Sequence, residues 1–227
     1  MKSLRLKPKV LIQELFQLER CGRYDVAIHK LDDIWHDKNS LPDVGGFSKN
    51  EKAEIFLRCG SLIGFLGHNK QIPNSQENSR NLLGKARDCF LENYDFEKVA
   101  ECEMYLALAY WRTGELVESD IWVDESLSHS LPKSSFVRFN AHIVKVGNLF
   151  SNKSYEAVIA TLDEIKDDCV EFGDDCLKGD LFNYYGLAFK NLDKKQEALE
   201  NFRLAKQYHR KSEHLVYLGT VENNLAQ

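Results

Sequence analysis

The segment GDLFNYYGLAFKNLDKKQEALENFRLAK, residues 179–206, leaves a chain little freedom about what it folds into. Phe182, Tyr185, Gly186 and Phe189 recur at helical spacing, and beyond Asp193 and Lys194 the residues Ala198, Phe202 and Ala205 recur in the same way. Apolar residues three and four apart share one face of an α-helix. Each half therefore carries one apolar stripe, and the short turn between them folds the stripes together. Gly186, Ala198 and Ala205 are small where two helices must approach closely, and the large side chains fill the space beside them.

The same design recurs along the chain, giving five hairpins and the start of a sixth. The first covers about residues 8–38: VLIQELFQLERC turns at Gly22 and Arg23 and continues through YDVAIHKLDDIWHD, with Tyr24, Ala27, Leu31 and Ile34 facing inward. Gly22 supplies a turn that a β-carbon would strain. A loop holding Pro42, Gly45 and Gly46 follows, and Ser48 with Glu51 has capping-box spacing, which predicts a helix start. The second hairpin, residues 48–93, carries AEIFLRCGSLIGFLG and then a helix with Leu83, Ala86 and Phe90. Gly60, Gly64 and Gly67 read as close helix crossing, with Gly67 at the turn, and HNKQIPNS, residues 68–75, reads as an inserted, protruding loop. The third hairpin, residues 95–131, places Leu106, Ala107 and Tyr110 before a turn at Gly114, then Ser119, Val123 and Ser126. The fourth, residues 134–172, is assigned by the spacing of Val146, Leu149, Tyr155, Val158, Leu162 and Ile165. Asp174 or Asp175 is expected to cap the fifth, residues 174–210, and a lone helix over 212–227 opens the sixth, with Leu225 and Ala226 in the slots of Tyr185 and Gly186.

The fifth hairpin resembles the tetratricopeptide repeat. That signature, W-x2-L-G-x2-Y, then A-x3-F, then proline, is matched in residue class at every slot but the last, where Arg210 stands. Pro132 lies close to the matching place in the third hairpin. Corresponding turns are about 40 to 47 residues apart, longer than the roughly 34 of the plain repeat, so both helices should be extended by about a turn. The resemblance implies an all-α fold, an α-α superhelix or tetratricopeptide-like solenoid of about eleven helices in a single domain spanning 1–227. A solenoid end needs a polar cap, because each repeat buries its apolar side against a neighbour. The lone last helix therefore predicts that the chain is the N-terminal part of a larger signalling-type protein, or that this end packs on another copy.

Composition narrows the function. A net charge of −5 with interspersed signs argues against a phosphate-neutralising face, so no nucleic-acid partner is expected. The basic start MKSLRLKPK leads into a run broken by Gln13, Glu14, Gln17, Glu19 and Arg20, so neither a signal peptide nor a membrane partner is expected. The six cysteines, Cys21, Cys59, Cys89, Cys102, Cys169 and Cys176, form no C-x-x-C pair and mostly fall on apolar faces, as in a reduced cytoplasmic protein. The chain contains no G-x-x-x-x-G-K-[ST], G-x-S-x-G or H-E-x-x-H. His209 and His214 read as surface residues, and the acids Asp163, Glu164, Asp167, Asp168, Glu171, Asp174 and Asp175 read as a solvated face and a cap, out of register for a calcium loop. No catalytic residue, cofactor or metal is therefore expected.

The resemblance implies a concave groove lined by the first helix of each hairpin. Carried over by alignment, the groove residues are Phe65, Leu108, Trp111, Arg112, Phe150, Asn183, Tyr184, Lys190 and Asn223, with Phe16, Arg20, Leu57, Arg58, Met104, Leu187 and Asn224 beside them. Aromatic and arginine anchors with amides suit an extended peptide or a helix of a protein partner. Ile12 and Leu57 stand where members that grip an acidic chaperone tail carry lysine, so that mode is not expected. The reading is a non-catalytic, protein- or peptide-binding scaffold. A ligand-responsive domain controlling an attached effector is the alternative, and self-association through the uncapped C-terminal helix a further expectation.

Overall fold

The computed structural model describes residues 7–226. The segment MKSLRL and Gln227, the end of the expected last helix, lie outside the described residues. Every regular element among these residues is helical: α1 Pro8–Arg20, α2 Tyr24–His29, α3 Lys49–Lys70, α4 Ser75–Glu92, α5 Phe96–Thr113, α6 Leu116–Ser128, α7 Phe136–Ser151, α8 Tyr155–Phe172, α9 Asp175–Asn191, α10 Lys195–Lys211 and α11 Leu215–Ala226. The fold is all-α, and within each unit the helices pack mainly on their neighbours in sequence, as in a helical solenoid, with α1 lying also against α3. No helix among the described residues is long and apolar enough to cross a membrane. The chain divides into two compact units, one ending at Glu115 and one beginning at Leu116, so α5 and α6 of the expected third hairpin belong to different units.

The first unit is built around α3. Its start is fixed by the capping box: the Glu51 carboxylate accepts from the Ser48 N–H at 2.9 Å and the Ser48 hydroxyl accepts from the Glu51 N–H. The helix is buried almost all round, because α1 and α2 cover one side while α4 and α5 lie against the others. Its seam with α4 is made of small residues. A Cβ on Gly67 would lie 1.9 Å from the Ser75 hydroxyl oxygen, and one on Gly60 2.8 Å from Leu83, so neither position accepts a side chain. Across the same seam the Ser79 hydroxyl donates to the Gly60 carbonyl at 2.7 Å and the Gln76 amide to the Gly64 carbonyl at 2.8 Å.

Two sequence expectations fail in this unit. Residues 68–75 are not a protruding insertion: α3 runs on through Lys70 and α4 begins at Ser75, so the connection is a tight turn with left-handed Gln71 and Asn74. Gly67 accordingly lies inside the helix rather than at its turn. The second helix of the first hairpin also ends at His29, well short of the expected run to Asp37. The chain continues in turns that bury Leu31 and Trp35, and the Trp35 indole N–H donates to the Ser40 carbonyl at 2.8 Å.

The second unit stacks α6 to α11 in order. Asn148 of α7 clamps α6: it accepts from the Ser119 hydroxyl at 3.1 Å and donates to Asp120 at 2.6 Å. Asp174 caps α9 by accepting from the Leu177 N–H at 2.8 Å. Residues 179–206 form the most extensively packed pair of this unit, α9 with α10. A Cβ on Gly186 would lie 2.5 Å from the Phe202 ring, while Ala198 and Ala205 are buried against the same seam. Val221 anchors α11 in this core; Leu225 is partly buried and Ala226 is exposed, so Ala226 does not take the close-contact role of Gly186.

Candidate partner-binding surface

Four of the aligned groove residues lie in the first unit, at the C-terminal ends of α3 and α5. Tyr24 stacks on Phe65 with centroids 4.5 Å apart and planes 13° from parallel, and the Arg112 guanidinium sits 4.1 Å from the Phe65 centroid. Trp111 faces His68 at 6.4 Å, and Leu108, one turn before Arg112, is half-buried. Burial and the Arg112 charge hold His68 below its ordinary 6.5, so the patch at neutral pH carries the arginine charge beside a neutral imidazole. Tyr24 itself is buried, as its inward-facing place in the sequence implies, and backs Phe65 from the core.

In the second unit Phe150 meets Tyr155 at 5.4 Å and Tyr184 at 6.5 Å, both edge to face. Asn183 accepts from the Asn224 amide at 3.0 Å, which ties α9 to α11. Asn223 and Lys190 are exposed. The aromatic members of the set are thus divided, Phe65 and Trp111 in the first unit and Phe150 and Tyr184 in the second.

Leu57, Arg58 and Met104 do not belong to any groove, because all three are buried. Arg58 is the centre of an ionic network that sequence reasoning missed. Its guanidinium donates to Glu19 of α1 at 2.7 Å and to Glu101 of α5, and Lys98 bridges Glu101 and Glu54 at 2.9 Å each. Phe16 and Tyr105 stack over the guanidinium at 5.2 and 5.7 Å. Burial alone would raise the Glu101 carboxyl, but Arg58 and Lys98 outweigh it and hold that group below its ordinary 4.5. The network joins α1, α3 and α5 by charge where apolar contact would also have served. The signal for it was a charge on an otherwise apolar face, at Glu19, Arg58 and Glu101.

His209 and His214 are also misplaced by the sequence reading: both are buried, not at the surface. His209 fills the space above Gly179, where a Cβ would lie 2.4 Å from its ring, and His214 stacks on Tyr217 at 4.0 Å. Burial and the neighbouring His214 push His209 down to about 4, and burial pushes Asp180, 3.6 Å away, up to about 8. Of the acidic cluster, Asp163 accepts from the Tyr185 hydroxyl at 2.5 Å and Asp168 pairs with Arg138 at 3.1 Å. Among the described residues no group of three His, Cys, Asp or Glu is placed to hold a metal ion. The chain matches no protein family model, no curated protein and no solved structure.

Proposed function

We propose that this chain is a non-catalytic helical-repeat protein of the tetratricopeptide-like kind that binds a protein or peptide partner. The observation that carries the reading is the stack of Tyr24, Phe65 and Arg112, with Trp111 next to Arg112 on α5 and facing His68. Phe65, Trp111 and Arg112 are neither core nor fully solvated. Aromatic and arginine side chains of this kind dominate binding hot spots, and rings already locked by stacking lose little freedom when a partner covers them. The Phe150, Tyr155 and Tyr184 cluster offers a comparable anchor in the second unit. The small-on-large seam of α9 and α10 supports the repeat assignment. None of the six cysteines is in a disulfide, which supports a cytoplasmic location, since an oxidising compartment favours disulfides.

The test is affinity capture with the wild type and with Trp111→Ala, Arg112→Ala and Tyr184→Ala, each checked for unchanged thermal unfolding. A partner held by the wild type and released by the first two variants supports the reading. Equal capture by all four proteins would refute a role for these anchors.

A further inference from the structure

The outer face of α4 and the loop at residues 39–41 line an open cleft of about 520 Å³, within the size range of ligand sites. Asn39 and Leu41 form one wall; Asn78, Asn81, Gly84 and Lys85 form the other. The loop wall is braced from within. Besides the Trp35 indole bond, the Asn39 N–H donates to the Asp37 carboxylate at 2.9 Å and the Asp43 N–H to the Ile34 carbonyl at 2.6 Å. A wall held in this way is ready for a ligand before one arrives.

Gly84, like Gly219 of α11, is a helix glycine that no close crossing explains. Glycine inside a helix weakens it relative to alanine. At Gly60, Gly64 and Gly67 a close crossing accounts for that choice, but a Cβ on Gly84 would meet nothing within 4 Å. The space above Gly84 belongs to the cleft, and a bare helix surface there lets another backbone come close.

The amides identify what that backbone is. The Asn78 amide donates to the Asn39 side-chain oxygen at 3.1 Å. This leaves the Asn78 oxygen to accept and the Asn39 amide to donate, the two polarities that one peptide group requires. Asn81 follows one turn on, at a Cβ spacing of about 5–6 Å, close to the roughly 6.6 Å between alternate residues of an extended chain. Charge does not favour a phosphate ligand: Asp88 lines the cleft with Lys85, and Arg80 is engaged by Glu115 at 2.8 Å and lies over the Tyr110 ring. None of the lining residues is aromatic, so no ring is present to stack on a sugar.

We propose that this cleft binds an extended peptide segment through its main chain, with the peptide backbone over Gly84 and an aliphatic side chain against the exposed Leu41. The site uses none of the aromatic and arginine anchors described above. Panning a phage-displayed random dodecapeptide library on the full chain, with counter-selection on Gly84→Gln, tests it. Peptides from enriched clones are then titrated by fluorescence anisotropy. Affinity is expected to fall about tenfold or more in Gly84→Gln and Asn78→Ala and to stay unchanged in Trp111→Ala. Glutamine is a better helix former than glycine, so Gly84→Gln should melt no lower than the wild type. Failure to enrich any clone on the wild type over Gly84→Gln overturns the site. So do clones that Gly84→Gln retains and only Trp111→Ala loses, a result that would instead favour the aromatic and arginine surface.

Discussion

Arg58→Met removes the cation that Glu19 and Glu101 share and keeps a side chain of comparable bulk. Both carboxylates are about 5% exposed and Arg58 about 1%, so little water is available to replace the lost partner. A pair at contact distance is worth about 4 kcal/mol at an effective dielectric of about 20. Glu101 keeps Lys98, whereas Glu19 keeps no ion-pair partner among the described residues. Stranding one buried charge costs about 3–5 kcal/mol, a large part of a total stability of about 5–15 kcal/mol. The pH dependence has a definite sign. Burial pushes the Glu101 carboxyl up, and with Arg58 gone only Lys98 opposes it, so the variant's folded state takes up a proton at higher pH than the wild type's. The variant's deficit should therefore narrow as pH falls from about 7 towards 5. Urea unfolding followed by circular dichroism at both pH values measures it. A deficit below about 1 kcal/mol at neutral pH, or one that does not narrow on acidification, would refute the stranded-charge reasoning. Replacing Arg58, Glu19 and Glu101 together by Met, Leu and Leu should restore most of the loss, because the apolar set leaves no charge unpaired among the three.

Glycine to alanine should change stability in opposite directions at two sites. At Gly186 the new methyl meets the Phe202 ring, and overpacking should outweigh the helix-propensity gain by about 1–2 kcal/mol; at Gly84 nothing is met and stability should rise by about 0.5–1 kcal/mol. Denaturation midpoints of the two variants decide this, and a shift of the same sign at both positions would contradict the packing described. Asp180 sets a further pH signature. Its folded value of about 8 lies above the ordinary 3.8, so its contribution is full at low pH and is lost as pH rises through 8, while His209, depressed to about 4, contributes stability that is lost as pH falls from 6.5. The two slopes offset each other between about pH 4 and 6.5 and leave a net loss between about 6.5 and 8. Urea midpoints should show that alkaline loss in the wild type and a smaller one in Asp180→Asn; equal loss in both would remove Asp180 as its source.

Much of the scaffold was legible because local chemistry and packing agree. Ser48 and Glu51 read as a capping box and form one, Asp174 caps as expected, and the glycines of α3 sit at a close crossing. The misreadings share a cause: the sequence shows residue types, and tertiary partners decide their fate. Arg58 was assigned to the groove by the alignment that the resemblance implies, and only the arrival of Glu19 and Glu101, each about 40 residues away, makes its burial tolerable. His209 and His214 read as polar but act as flat rings filling space beside Gly179 and Tyr217. The early end of α2 reflects Trp35, whose burial and bond to Ser40 hold the following residues in turns rather than helix. Of the candidate surface, Phe65, Trp111 and Arg112 came from the alignment that the resemblance implies, while Tyr24, read as inward-facing, is buried as expected, and its stacking on Phe65 depends on how α2 meets α3.

The central claim is that small residues on one helix seat large ones on the next, and the α9–α10 seam exposes it to a single measurement. In this fold the Gly186 α-proton that occupies the Cβ direction points into the Phe202 ring. Proton NMR of the folded chain should show a Gly186 α-proton shifted upfield by the ring current, with cross-relaxation to the Phe202 ring protons. A Gly186 α-proton at its ordinary position with no cross-relaxation to Phe202 would contradict the pairing from which the architecture is built.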